Sequence, residues 1–348
     1  MSEDKKGIKS KIMHFYEEKY KILLIIPILL LVLAISQIAF QTITTGDFLS
    51  KDVSLKGGMT ITVPTEKPVD LAQITAYLET NYPANDISVR TLSSGIEQKG
   101  IIVAADISVE DKDTAESFIV DIAELTDVQR KEFSIEFMGS SLGESFFRET
   151  FIAILLAFLF MGAIVFMYFG DSLKHKLIVV GLTIVAAILL YSGSGIIFKI
   201  LAAIAVIGLV FMYVRFSIPS FAVILAALSD IIITLAIVNM MGMKLSTAGI
   251  AAFLMLIGYS VDTDILLSTR VLKRKEGSIM DRIYSAMKTG LTMNITTMIA
   301  LTVGLVLSQS VVISQIMIIL LIGLCIDIIN TWIQNVGILR LYLEAKRK

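Results

Sequence analysis

From Thr150 to about residue 337 the chain is nearly continuous apolar sequence broken by short polar stretches, and that pattern leaves it few structures to adopt. Runs at 150–169, 177–192, 195–213, 218–240, 247–267, 290–308 and 313–337, with Ile22–Phe40 ahead of them, come close to the length that spans a hydrocarbon core. Lipid offers no partner for a backbone N–H or C=O, so uninterrupted apolar runs of this kind cross as helices. The charge content agrees. Only 18% of the 348 residues are charged and the mean hydropathy is +0.80, against about 25% charged in a soluble domain. The chain reads as a polytopic α-helical membrane protein with eight candidate spans. The first member of the 177–213 pair is short, but the two ends of the chain keep their relative sides whether both members cross or neither does.

Residues 1–21 are polar, with Lys5, Lys6, Lys9, Lys11, Lys19 and Lys21. The run at 22–40 is longer than a signal-peptide core and is followed by ISQIAFQ rather than a small-x-small site, so an uncleaved first span is expected. Pro27 is tolerable inside it. The Lys273–Lys288 loop and the basic tail at 339–348 are rich in Lys and Arg, whereas the breaks near Ser192, Gly242 and Ser308 carry at most one. The positive-inside rule then puts both termini in the cytoplasm of a multi-pass protein of the cell membrane. Residues 41–149 differ in kind, being polar and acidic on balance. Met59, Ile61 and Val63 alternate as in a strand. Asp70 caps a helix carrying Leu71, Ile74 and Leu78, ended by Asn81 and Pro83. Ile87–Leu92 and Ile101–Ala104 read as strands joined through Ser93, Ser94 and Gly95. Ala115, Phe118, Ile119 and Ile122 mark a second helix, and Phe133, Ile135 and Phe137 a last strand. This β-α-β-β-α-β order is that of a ferredoxin-like α+β domain, expected outside the membrane as an interaction module, ahead of a 150–338 bundle of seven candidate spans.

The only histidines, His14 and His175, sit in basic surroundings, and Cys325 is the only cysteine. Zinc chemistry, a disulfide framework and Ser-His-Asp catalysis have almost no material, and neither a metal nor a cofactor is expected. The informative residues are acids inside apolar runs. In LMLIGYSVDTDILLSTRVLKRK (254–275), Asp262 and Asp264 precede Arg270, Lys273, Arg274 and Lys275. A charge at the centre of a membrane helix costs about 2.5–3.5 kcal/mol even on lenient scales, and such acids normally face a bundle interior as candidate proton or cation carriers. Asp262 falls in the cytoplasmic third, while Asp264 also fits a solvated position near the interface. Two residues apart, they point about 200° apart and cannot share a partner. Ser260, Asp264 and Ser268 share one face; Tyr259, Asp262 and Thr269 share another. Asp230 lies mid-run in LAALSDIIIT. Asp327 heads a stripe of Asn330, Thr331 and Gln334, and Thr289, Thr292 and Thr296 form a hydroxyl stripe. Plain interhelical hydrogen bonding accounts for the Thr and Asn stripes, and Arg270 is most simply a topological anchor. Gly249, Gly258, Ala248, Ala251 and Ala252 suit close helix packing.

GYSVDTD…R at Gly258–Arg270, preceded by IPSFAVILAALSD, resembles the SecF family of the SecDF protein-export complex, as does LKGGMTITV with Gly57 and Gly58. The resemblance covers nearly everything except about 170–213, and SVDTDILLSTRVLKRKEG looks like the archaeal branch. It implies a fold of the RND (resistance-nodulation-division) type and a SecD-like partner beside the SecY/SecE translocon. It also implies a role in moving unfolded polypeptide across the membrane, coupled in bacterial members to proton flow. Asp262 falls where the SecD branch has its key intramembrane Asp; the bacterial SecF branch has its Asp one residue later, at Thr263. Asp230 matches the family's Asp on the preceding span. Bacterial members carry an Arg where counting back from Thr296 and Thr297 gives Thr289, so Lys288 is the nearest base. The family has six spans, which makes 177–213 an inserted pair. Asp262, Asp230, Asp264 and Asp327 are the relay candidates, supported by Tyr259, Ser260, Arg270, Lys288 and Thr289. Lipid is an expected contact and nucleic acid is not. The expected chain is not an enzyme. Two other readings remain open: half of an RND-type small-molecule exporter, and an intramembrane aspartyl protease using Asp230 and Asp262.

Overall fold

The computed structural model describes residues 14–65, 69–94, 97–108, 110–192, 195–274, 276–308 and 310–347. Lys5, Lys6, Lys9, Lys11, Gly95 and Lys275, all used in reading the sequence, lie outside the described residues, as do Gly193, Ser194 and Gln309 within the short breaks.

Strand β1 (Gly58–Pro64) opens the polar domain and alternates as its sequence does, with Met59, Ile61 and Val63 fully buried. Helix α2 (Leu71–Asn81) is started by Asp70, whose carboxylate accepts from the amides of Ala72 at 3.0 Å and Gln73 at 3.2 Å. After β2 (Ile87–Ser94) and β3 (Glu97–Ala105), α3 (Lys112–Thr126) is capped by Asp111 and leads to β4 (Ser134–Met138). The sheet order is β2-β3-β1-β4, with every pair antiparallel. Both helices pack on one face through Ile74, Leu78, Phe118, Ile119 and Ile122. Truncating a side chain as buried as Phe118 costs about 3–5 kcal/mol.

Eight helices among the described residues are long and apolar enough to cross a membrane. They are α1 (Ile25–Thr45), entered through a turn at Tyr20–Leu23; α4 (Ser140–Phe169); α5 (Leu173–Ser192); α6 (Ile196–Phe216); α7 (Ile218–Met240); α8 (Thr247–Lys273); α9 (Ile279–Leu307); and α10 (Val311–Ile329), which runs through a π-helical stretch, Asn330–Asn335, into α11 (Val336–Arg347). Helices outrun the apolar runs at several ends. α4 starts at Ser140, not near Thr150, and α9 at Ile279, not near Gly290, because polar turns extend a helix beyond its greasy part and hydropathy registers only the latter.

α7 and α8 form the centre, with about half of each buried, while α9 is mostly exposed. α1 packs on α7 and α10 through Ala34, Ile233, Ala236 and Ile326. α5 and α6 form a hairpin against α4 and the start of α7, holding Val179, Leu209 and Tyr213 on Ala163 and Phe166. The segment joining α1 to β1 is clamped to the α7–α8 loop. Leu245 N donates to Ser50 O at 2.7 Å, Asp52 N to Leu245 O at 2.9 Å, and Asn239 Nδ2 to Phe48 O at 3.0 Å. Lys244 Nζ donates to Asp86 Oδ1 at 2.6 Å and Lys56 Nζ to Asp86 Oδ2 at 3.1 Å. Gly57, at φ 87°, lets β1 leave against the start of α4, where a Cβ would stand 2.4 Å from Ser140 Cα.

Candidate functional site

The centre of the bundle is polar. Asp230 on α7, Asp264 on α8 and Asp327 on α10 are each 0% exposed. Asp230 Oδ2 accepts from Ser260 Oγ at 2.5 Å and Oδ1 from Asn330 Nδ2 at 2.7 Å. Asp264 Oδ1 accepts from Thr331 Oγ1 at 2.9 Å and Asn335 Nδ2 at 2.7 Å; its Oδ2 is buried without a hydrogen-bond partner among the described residues. Asp327 Oδ2 accepts from Asn294 Nδ2 of α9 at 2.8 Å, and its Oδ1 lies 3.0 Å from Thr331 Oγ1. The Thr331 hydroxyl thus lies between the carboxyls of Asp327 and Asp264. Gln334 Nε2 adds a bond to Ser229 Oγ at 3.3 Å.

This arrangement follows from local structure. α7 and α8 cross at the centre, so Ser260 and Asp264, on one face of α8, turn toward α7 and α10. The π-helical stretch then gathers four polar side chains onto the same site, since widening the turn brings Asn335 round beneath Asn330. Gly290 of α9 leaves room for the Trp332 ring; a Cβ there would stand 2.5 Å from Trp332 Cζ2.

Among the described residues, no Lys, Arg or His hydrogen-bonds or ion-pairs with these carboxylates, and no group of His, Cys, Asp and Glu has the geometry to hold a metal. An ionised carboxylate moved from water into such a site without a counter-cation costs several kcal/mol. Three cannot all be ionised together. The amide and hydroxyl donors can stabilise a negative charge at one or another of them.

The expected relay residues are thus divided. Asp230, Asp264 and Asp327 come together, and Ser260 supports Asp230 directly. Asp262 does not join them: it is exposed on the opposite side of α8 with Tyr259, and it makes no hydrogen bond or ion pair among the described residues. The sequence left Asp264 open as a solvated position near the interface; burial falls on it because its face of α8 packs inward. The pairing of Asp230 with Asp262 required for a protease is absent from the structure for the same reason. Arg270 pins α8 to α9 by donating to Ser285 O at 2.5 Å and Thr289 Oγ1 at 2.9 Å, so Thr289 serves that anchor. Lys288 is exposed. Thr292 and Thr296 donate back to carbonyls of their own helix. Asn294, Asn335 and Ser229 escaped sequence reasoning. The signal for Asn294 was an amide inside the apolar run of α9; Asn335 had none without the π-helical turn.

Comparison with known proteins sets the site in a family. The family of protein export membrane proteins SecD/SecF, C-terminal, matches residues 193–345, which contain every residue of the carboxylate site. The chain is 33% identical over 334 residues to the protein-export membrane protein SecF of Methanocaldococcus jannaschii, covering 94% of this chain and 97% of that one. It is 32% identical over 351 residues to SecF of Pyrococcus furiosus, covering 98% and 97%. The crystal structure of SecDF, a translocon-associated membrane protein from Thermus, shares the fold at a TM-score of 0.57 and 16% identity. That match takes in 96% of this chain but only 38% of that longer one. With identity at this level sustained over nearly the full length of its relatives, the chain belongs to the SecF family of protein-export membrane proteins.

Proposed function

We propose that the chain is a SecF-type subunit that assists protein export, and that its buried carboxylates hold and pass protons as it works. It acts with a SecD-type partner beside a SecY/SecE translocon, on polypeptide that is still unfolded. The single observation that carries the proton reading is the cluster of Asp230, Asp264 and Asp327, fully buried and supplied with amide and hydroxyl donors but, among the described residues, no basic partner. The partner reading is supported by the 38% share of the SecDF chain that this chain matches, which leaves room there for a second half. It is also supported by α8, whose exposed stripe of Ala251, Met255, Gly258 and Asp262 includes two small residues and carries a carboxylate that lipid would penalise. A partner helix covers that stripe. The end of the bundle bearing Arg270, Lys273, Arg274, Arg282 and Arg340 faces the cytoplasm, and the sheet domain stands on the other side.

Affinity purification from native membranes should recover SecD-type and SecY-type proteins. In an export assay normalised to assembled complex, Asp264→Asn should lose most of the stimulation, because the near-isosteric amide cannot carry a proton. Full stimulation by that variant would remove the proton reading, and failure to recover any Sec component would remove the export reading.

A further inference from the structure

Thr331 stands between two carboxyls with one hydroxyl proton to give. Its Oγ1 lies 2.9 Å from Asp264 Oδ1 and 3.0 Å from Asp327 Oδ1, and the side chain is wholly buried. A hydroxyl donates one hydrogen bond and accepts others, whereas an ionised carboxylate only accepts. Two ionised carboxylates would each need that single proton. Both contacts are met together when one carboxyl is protonated and donates to Oγ1 while Oγ1 donates to the other.

The surrounding donors reinforce this arrangement. Asn294 occupies Asp327 Oδ2 and leaves Oδ1 to Thr331, while Asn335 holds Asp264 Oδ1 in place from the other side. The groups facing the pair are Asp230 from α7, Ser260 from α8, Asn294 from α9, and Asn330 and Asn335 from the π-helical stretch.

Resting on the proton-carrying reading above, we propose that Thr331 is the link through which a proton passes between Asp327 on α10 and Asp264 on α8. The step balances without any further reactant. The O–H bond of the Asp327 carboxyl breaks as its proton forms a new O–H bond on Thr331 Oγ1. The original hydroxyl proton leaves Oγ1 and forms an O–H bond at Asp264 Oδ1. Threonine ends as a neutral hydroxyl and resets by rotation about its Cβ–O bond. The negative charge moves from Asp264 to Asp327. Because the two carboxyls belong to different helices, the transfer changes which helix carries the charge.

The test uses the whole chain purified with its SecD-type partner and reconstituted in vesicles under an imposed membrane potential, with proton uptake read by a pH-sensitive dye. Thr331→Val keeps the shape and removes the hydroxyl; it should lose uptake while retaining assembly. Thr331→Ser restores the hydroxyl and should restore uptake. Should the valine variant distort the bundle, infrared spectra of the unsubstituted complex and of Asp327→Asn provide an independent measurement, since removing one carboxyl of a linked pair should shift the carboxyl band of Asp264. Uptake retained in Thr331→Val, or lost equally in Thr331→Ser, overturns the link. If Asp264→Asn and Asp327→Asn lose uptake while Thr331→Val keeps it, only the link fails. If the unsubstituted complex shows no uptake, or the Asp variants keep it, the proton reading itself fails.

Discussion

Asp262 and Asp264 stand two residues apart on α8 and meet opposite surroundings, one exposed and the other enclosed by Thr331 and Asn335. Helical spacing alone shows that they diverge. It does not show which one faces inward, because that depends on where α7 and α10 pack. The polar residues Ser260 and Ser268 on the Asp264 face were the available clue, and the alanines and glycine beside Asp262 mark a contact surface of another kind. The two positions therefore predict a double dissociation. Asp264→Asn should leave co-purification of the SecD-type partner intact while removing export stimulation; Asp262→Leu should weaken co-purification at an unchanged fold, measured by quantitative recovery from solubilised membranes. Equal effects at both positions would contradict the split. Gly290 is decided by a single contact. Its substitution by Ala drives a methyl toward Trp332, at 2.5 Å, and overpacking of this kind costs about 1–3 kcal/mol. A lowered unfolding midpoint in thermal denaturation of the purified protein would show it.

At the scale of elements, each apolar run lies along one of the eight long apolar helices among the described residues but does not give that helix its length. The turns at Ser140–Glu149 and Ile279–Thr289 are helical without being apolar, so only packing and capping reveal them. Ser278 and Asp281 form a capping box that fixes the start of α9 well before its membrane part. The π-helical stretch could not be read from sequence at all. One extra residue in a turn is tolerated where tertiary contacts hold it, and here it supplies Asn335 to Asp264. Among the described residues the α5–α6 hairpin contributes none to the carboxylate site and packs on α4 and α7 from outside. Removing Leu173–Phe216 as a unit, with a short linker, should preserve the orientation of the remaining spans. Removing α5 alone should scramble everything after it. Cysteine accessibility at Glu276 from the two sides of the membrane measures this, and inversion in the paired deletion would contradict it.

For the whole molecule, the notable connection runs from the carboxylate site to the sheet domain. α7 and α8, which carry Asp230 and Asp264, are joined by the loop whose Leu245 pairs with Ser50 and Asp52 and whose Lys244 holds Asp86. The β-α-β-β-α-β order was legible because its strands alternate and its helices are capped. The clamp was not, since its backbone pairing joins residues nearly 200 positions apart in the chain. Burial alone would push the Asp86 carboxyl up, but the hydrogen bonds and charges of Lys244 and Lys56 outweigh it and hold it below the ordinary carboxylate value. A group depressed in the docked state contributes stability that is complete above its undocked range and is lost as the pH falls through the docked one. Docking of the domain should therefore loosen below about pH 4, read as falling energy transfer between dyes at Thr80 and Leu307, and Asp86→Asn should abolish that dependence. The central claim is that the buried carboxyls hold a proton that can move. Infrared spectroscopy of the complex in lipid at neutral pH, with bands assigned through Asp230→Asn, Asp264→Asn and Asp327→Asn, tests it most directly. The account predicts at least one protonated carboxyl band from the cluster, shifting when a membrane potential is imposed; three ionised carboxylates, unchanged by the potential, would contradict it.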